Sequence, residues 1–253
     1  MTAEYVPPHA IQRARTLAWA TALGAITAEA LAERDGLSTA AAKERLDEAV
    51  GLGLLTRHAL LVGYSDLYTV TGPGRTEARK HSDAGGYSYP EGLRTARATI
   101  RDARHTIACA SVMAALERRY PDYRVIAERE LHREEHAQQR RLGSVSVRRY
   151  GQTRSHYPDI VLWTPPTAGG PPPLPIAVEV ELTMKSKEEL TAICRAFARS
   201  RDIEAVLYFV ETTKLEERLL DAVERLNAEE MIVVLPLTTI VESLAGFDLA
   251  PRD

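Results

Sequence analysis

Two apolar runs on either side of a Pro/Gly-rich stretch constrain this chain more than any other feature. They are Tyr157-Pro158-Asp159-Ile160-Val161-Leu162 and Ile176-Ala177-Val178-Glu179-Val180-Glu181-Leu182. Both are rich in the aliphatic and β-branched residues that fit a pleated, buried surface. Alternate side chains of a strand share a face, so Glu179 and Glu181 point one way while Val178, Val180 and Leu182 enter the opposite layer. Pairing the runs as a hairpin brings Asp159 beside the two glutamates. Three clustered carboxylates repel one another unless a cation intervenes, and Mg²⁺ or Mn²⁺ is the hard, oxygen-seeking choice. The expected site has Asp159 and Glu179 as metal ligands and Asp159, Glu179 and Glu181 as the catalytic set. Such a site can activate water against a phosphate. The plainer alternative is a solvated strand edge of alternating polarity.

Around these runs, strands and helices interleave. An extended segment Tyr123–Glu128 precedes them, and helix Lys187–Arg199, strand Ile203–Val210, helix Lys214–Asn227 and strand Met231–Leu237 follow. That order implies a mixed sheet covered on both faces. Upstream, Leu93–Tyr120 reads as one long helix, with Ile100, Ala103, Ile107, Ala110 and Leu116 on one side. The stretch His81–Gly92, HSDAGGYSYPEG, is rich in Gly, Ser and Pro without periodicity and reads as a linker.

The first 80 residues have a different character. Helix Ile11–Leu23 is followed by a short helix, Ala28–Arg34, capped by Thr27 and broken at Asp35-Gly36. Ser38 caps a third helix, and two extended runs, Leu54–Val62 and Asp66–Thr71, turn at Gly63-Tyr64-Ser65. Two helices around a tight turn and then a β-ribbon describe a winged helix-turn-helix. Its third helix offers Thr39, Lys43 and Arg45 to a DNA groove, with Arg57 and His58 entering the wing. Residues 1–90 hold nine basic and ten acidic side chains, so strong nonspecific binding is not expected of this module. The fold class is therefore α/β (α+β overall): residues 1–80 a winged helix, 81–92 a linker and 93–253 a mixed-sheet domain.

Charge is concentrated elsewhere. Between His136 and Tyr157 stand Arg140, Arg141, Arg148, Arg149 and Arg154 with no acid among them. Read as a loop ahead of Asp159, this run can deliver a phosphate backbone to the carboxylates. The formal net charge is −3, with 45% hydrophobic and 26% charged residues, the mix of an ordinary globular protein. There is no apolar run of membrane-spanning length and no signal pattern, so a cytoplasmic, membrane-free protein is expected. Cys109 and Cys194 match no metal-knuckle spacing, and no Walker loop, GxGxxG turn or nucleophile elbow occurs.

Pro158-Asp159 and Glu179-Val180-Glu181, with the order helix, strands, helix, strand, resemble the PD-(D/E)xK nuclease superfamily. The resemblance implies a restriction-endonuclease-like fold with a further acid, for which Glu117, Glu128 and Glu130 are candidates. Glu181 stands where that superfamily usually carries lysine. Lys185 lies four residues on, about 13 Å along an extended strand, out of reach unless the chain turns back. Arg195 or Arg199 is the other source of a cation. Together with Gly51-Leu52-Gly53-Leu54-Leu55, Leu67-Tyr68-Thr69-Val70-Thr71 and Gly74, the chain resembles the replication-relaxation family of plasmid and mobile-element proteins over roughly Leu17 to Val234. That implies a protein binding double-stranded DNA in replication, transfer or transcriptional control; a homodimer is expected because helix-turn-helix proteins commonly read two half-sites. The alternatives are a Mg²⁺-dependent DNA endonuclease and a partner-binding regulator without DNA contact.

Overall fold

The computed structural model describes residues 6–167 and 169–245. The chain divides into two compact units between Ala114 and Ala115. Among the described residues, no helix is long and apolar enough to cross a membrane.

In unit 1, helix α1 (Pro8–Leu23) begins on a proline, which costs little where the first N–H has no intrahelical partner. Thr27 caps α2 (Ala28–Asp35) by accepting from the Ala30 N–H at 3.1 Å, and Ser38 caps α3 (Thr39–Gly51) through Ala41 at 3.2 Å. Strands β1 (Leu55–His58) and β2 (Leu67–Val70) pair antiparallel, Leu55 opposite Val70. Ile26 adds a single bridge to Tyr68. Three helices and a ribbon give the winged-helix arrangement, with a shorter ribbon than the sequence suggests. Leu60 and Leu61 leave the strand because their side chains pack against Leu67, Ala25 and Ala103.

The expected linker is folded. Thr71 caps α4 (Gly72–Lys80), whose Gly74 has no substitute: a Cβ there would lie 2.1 Å from the Leu54 carbonyl oxygen. A short turn of helix, α5 (Ser82–Gly85), follows. The Arg15 guanidinium donates to the Gly85 carbonyl (3.2 Å from Nε), and the Tyr87 hydroxyl to that of Ala78. Gly and Ser in residues 81–92 thus serve tight turns packed on α1 and α4. The helix expected from Leu93 starts ten residues later as α6 (Ala103–Arg119). The Thr99 hydroxyl and Asp102 bond each other (2.7 Å), fixing a turn ahead of it, and Ile100 is exposed.

Unit 2 is built on a five-stranded mixed sheet. Strand β3 (Arg124–Ala127) leads into α7 (Glu128–Gln138), and then β4 (Val145–Arg149) pairs with β5 (Gln152–His156). Next come β6 (Ile160–Trp163), β7 (Pro175–Glu181), α8 (Lys187–Ala198), β8 (Ala205–Val210), α9 (Thr213–Glu224), β9 (Ile232–Pro236) and α10 (Ile240–Ala245). The sheet order is β3-β6-β7-β8-β9. The first two pairings are antiparallel, and the last two are parallel through the α8 and α9 crossovers. Phe197, Cys194, Leu219 and Val223 pack on Ala177, Val206 and Tyr208, so α8 and α9 cover one sheet face. On the same face Leu131 of α7 packs on Ile126 and Val161.

The arginine-rich segment is a hairpin, not a loop. Tyr150 (φ 48°) and Gly151 (φ 75°) form its two-residue turn, and positive φ at both positions matches the twist of paired strands. Val145 and Val147 anchor the hairpin in the α8 cluster. Before it, the Glu135 carboxylate accepts the backbone N–H groups of Leu142, Gly143 and Ser144 at 2.7–3.0 Å and the Ser144 hydroxyl at 2.6 Å. Those bonds hold its pKa down against the burial that favours the neutral acid.

Candidate functional site

Strand register places the three predicted carboxylates. Ile160 pairs with Val178, so Asp159, one residue outside β6, falls opposite Glu179. Its Oδ2 accepts the Val180 N–H at 2.7 Å, which stitches the end of the hairpin. Glu179 and Glu181 project together from the face that also carries Ala177, as alternation requires, and both are buried. Enclosed glutamates rule out the solvated-edge alternative for this pair.

Two cations that sequence reasoning left aside complete the cluster. His156, the last residue of β5, contacts Glu179 through Nε2···Oε1 at 2.8 Å. Burial disfavours the imidazolium, yet the charge and hydrogen bond of Glu179 hold the His156 pKa above its ordinary value. Its charged contact is therefore complete below the ordinary imidazole range and lost as pH rises through the folded-state value. Lys185 forms an ion pair with Glu181. The chain leaves β7 after Glu181 and turns back, so the four-residue separation that would put Lys185 out of reach on an extended strand does not apply. Burial opposes the Lys185 charge, but Glu181, Glu179 and Asp159 together hold its pKa up.

Glu179 itself remains under-compensated. Burial pushes its carboxyl up, and His156 and Lys185 pull it back only in part, with Asp159 adding repulsion. A cation would relieve the repulsion between Asp159 and Glu179, and carboxylate oxygens are the donors that a hard divalent ion takes. Tyr208, opposite Glu179 in the register, and Cys194 stay neutral: burial raises the phenol well above its usual value and the thiol to about 12. Cys194 is no nucleophile.

Of the candidate further acids, Glu128 reaches the site by its backbone, its N–H donating to the Asp159 carbonyl at 2.8 Å. Glu130 belongs to a different acidic group. Burial lifts it to about 7, opposed by the Ala127 N–H and Arg124 and assisted by Glu134 and Glu117.

The hairpin borders a groove of about 530 Å³ lined by Arg149, Tyr150, Gln152, Arg154 and His156. His156, which lines this groove, is the residue that links it to the carboxylates, through its contact with Glu179. Arg149 is tied to Glu189 at 3.0 Å, whereas Arg154 donates to the neutral Gln152. Arg140 bonds a neutral amide, that of Gln138, and Arg141 the Ser146 hydroxyl. Among the described residues, Arg148 forms no ion pair with a carboxylate.

In unit 1 the predicted DNA-binding cations are internally matched. Lys43 pairs with Asp47 on the same helix, and Arg45 with Asp35 at 3.4 Å. Arg57 Nε contacts Asp66 at 2.6 Å, with Asp47 at 3.9 Å from the same guanidinium. Thr39 is exposed at the start of α3.

No family model matches this chain, and no curated protein does. A solved structure, that of protein VC1899 from Vibrio cholerae, aligns with 96% of this chain at 11% identity and a TM-score of 0.36. This chain spans 56% of that protein's length, and the likeness is too slight to bear on fold or function.

Proposed function

We propose that this chain is a DNA-binding protein whose second unit is a metal-dependent, nuclease-like centre acting on phosphodiesters. The observation that carries the reading is the return of Lys185 to Glu181, within the electrostatic reach of Glu179 and Asp159. Glu181 occupies the position where the PD-(D/E)xK pattern has its lysine, and Lys185 restores an ammonium to the same cluster.

In this reading Asp159 and Glu179 would hold the divalent ion, which would supply Lewis acidity at the scissile phosphate. Lys185, seated on Glu181, orients the attacking water and stabilises developing negative charge. Arg154 in the groove attracts the phosphate backbone, and His156 holds Glu179 in place from the groove side. The winged helix of unit 1 selects the duplex site, as the resemblance to replication-relaxation proteins of plasmids and mobile elements suggests. Its matched charges favour sequence reading over nonspecific attraction.

The test is nicking of supercoiled plasmid by the purified chain with Mg²⁺ or Mn²⁺. Wild type is expected to nick, and Asp159→Asn to lose about 100-fold or more of that activity. Wild type that leaves the plasmid intact, or an Asp159→Asn variant that nicks equally, contradicts the reading.

A further inference from the structure

A second recess in unit 2, of about 590 Å³, shares no lining residue with the groove at His156. Arg141 and Arg148 reach it from the hairpin side, and Arg195, Arg199 and Arg201 from the end of α8 and the turn beyond. Asp202 is the one carboxylate lining it, and no ion pair joins any of these arginines to a carboxylate among the described residues. The rest of its lining is small side chains, Ser144, Ser146, Ser200, Ala192 and Ala196, with Val145.

We infer that this recess is a docking site for the phosphate backbone of duplex DNA. Guanidinium groups present forked donors that match phosphate oxygens, and serine hydroxyls add donors at short range. Small lining residues let a phosphate approach closely. No aromatic side chain lines the recess, so it offers no platform for unstacked bases and is suited to backbone contact, not to single-strand binding.

A simpler role exists for part of this set. Arg195 and Arg199 lie at the C-terminal end of α8, where cations offset the helix dipole. That role does not explain the approach of Arg141 and Arg148 from a separate element. Arg195 and Arg199, exposed like charges at i and i+4, also repel each other modestly, and an anion between them would relieve that repulsion. A polyanion in the recess accounts for the convergence of arginines from two elements.

The inference rests on the reading of unit 2 as DNA-handling and extends it by naming a second contact away from the carboxylates. Arg148→Ala/Arg195→Ala/Arg199→Ala in the full chain, checked for native circular dichroism, is compared with wild type for binding a short mixed-sequence duplex across a salt series. The expected result is a loss of about tenfold or more at low salt, with the slope of log affinity against log salt flatter by about 3. The Arg→Lys triple variant should keep most of the slope.

Wild-type affinity and slope in the alanine variant overturn the docking site and leave plasmid nicking, with its dependence on Asp159, standing. Wild type that binds no duplex at low salt removes both. Tighter binding to phosphatidylserine vesicles than to duplex overturns the assignment of the polyanion to DNA.

Discussion

The cations predicted to meet DNA are partnered differently in the two units. In unit 1 each predicted DNA-contacting cation has a carboxylate partner on or near the surface: Lys43 with Asp47, Arg45 with Asp35, Arg57 with Asp66. In unit 2, Glu179 is enclosed and Glu130 half-buried, both with raised pKa values, and the exposed Arg148, Arg195 and Arg199 have no acidic partner among the described residues. Exposed, paired charges contribute little, with typical values of roughly 0–1 kcal/mol. An enclosed carboxylate is costly to ionise, whereas exposed, unpaired arginines are hydrated and remain available to an anion. In the proposed reading, long-range attraction for a polyanion belongs to unit 2, and unit 1 is left to local recognition.

Glu130→Gln probes the acidic side of that contrast and carries the largest expected change in stability. The Glu130 pKa is raised to about 7 by burial, so the folded chain holds a proton that the unfolded chain releases near its ordinary value of 4.5. Stability conferred by that proton is full at acid pH and declines as pH rises toward about 7. The glutamine variant removes the cost, so denaturant melts should show it more stable by up to about 3 kcal/mol near pH 8 and indistinguishable near pH 4. A variant less stable at the higher pH would mean that Glu130 is compensated as the acids of unit 1 are.

Lys43→Ala/Arg45→Ala carries the smaller effect, read against the arginine-to-alanine triple variant of the unit 2 recess. With both cations already matched by Asp47 and Asp35, nonspecific duplex affinity should fall less than about threefold, and the salt slope should change little. A larger loss here than in unit 2 reverses the comparison.

Much of this arrangement is legible in the sequence where one physical rule dominates. Period-two alternation sets Glu179 and Glu181 on one face, and the Thr27 and Ser38 caps start α2 and α3 where side-chain oxygens meet free N–H groups. The pieces missed are those whose burial is bought with polar groups. Helix α7 is nearly all charged and has no apolar stripe, because Leu131 and a hydrogen-bonded Glu135 do its packing. The β4–β5 hairpin has an exposed polar face and a Tyr-Gly turn hidden among arginines, though Val145 and Val147 do alternate. Lys185 was illegible for a geometric reason: rise per residue measures reach only while the strand continues, and β7 stops at Glu181.

Plasmid nicking by Lys185→Met set beside Lys187→Met decides whether Lys185 supplies the cation of the cluster. The two lysines stand two residues apart, but Lys187 contacts Asp221 at 3.6 Å, away from the carboxylates, while Lys185 pairs with Glu181. Lys185→Met should lose about 100-fold or more in metal-dependent nicking while Lys187→Met stays near wild type. Equal nicking by the two variants would contradict the assignment.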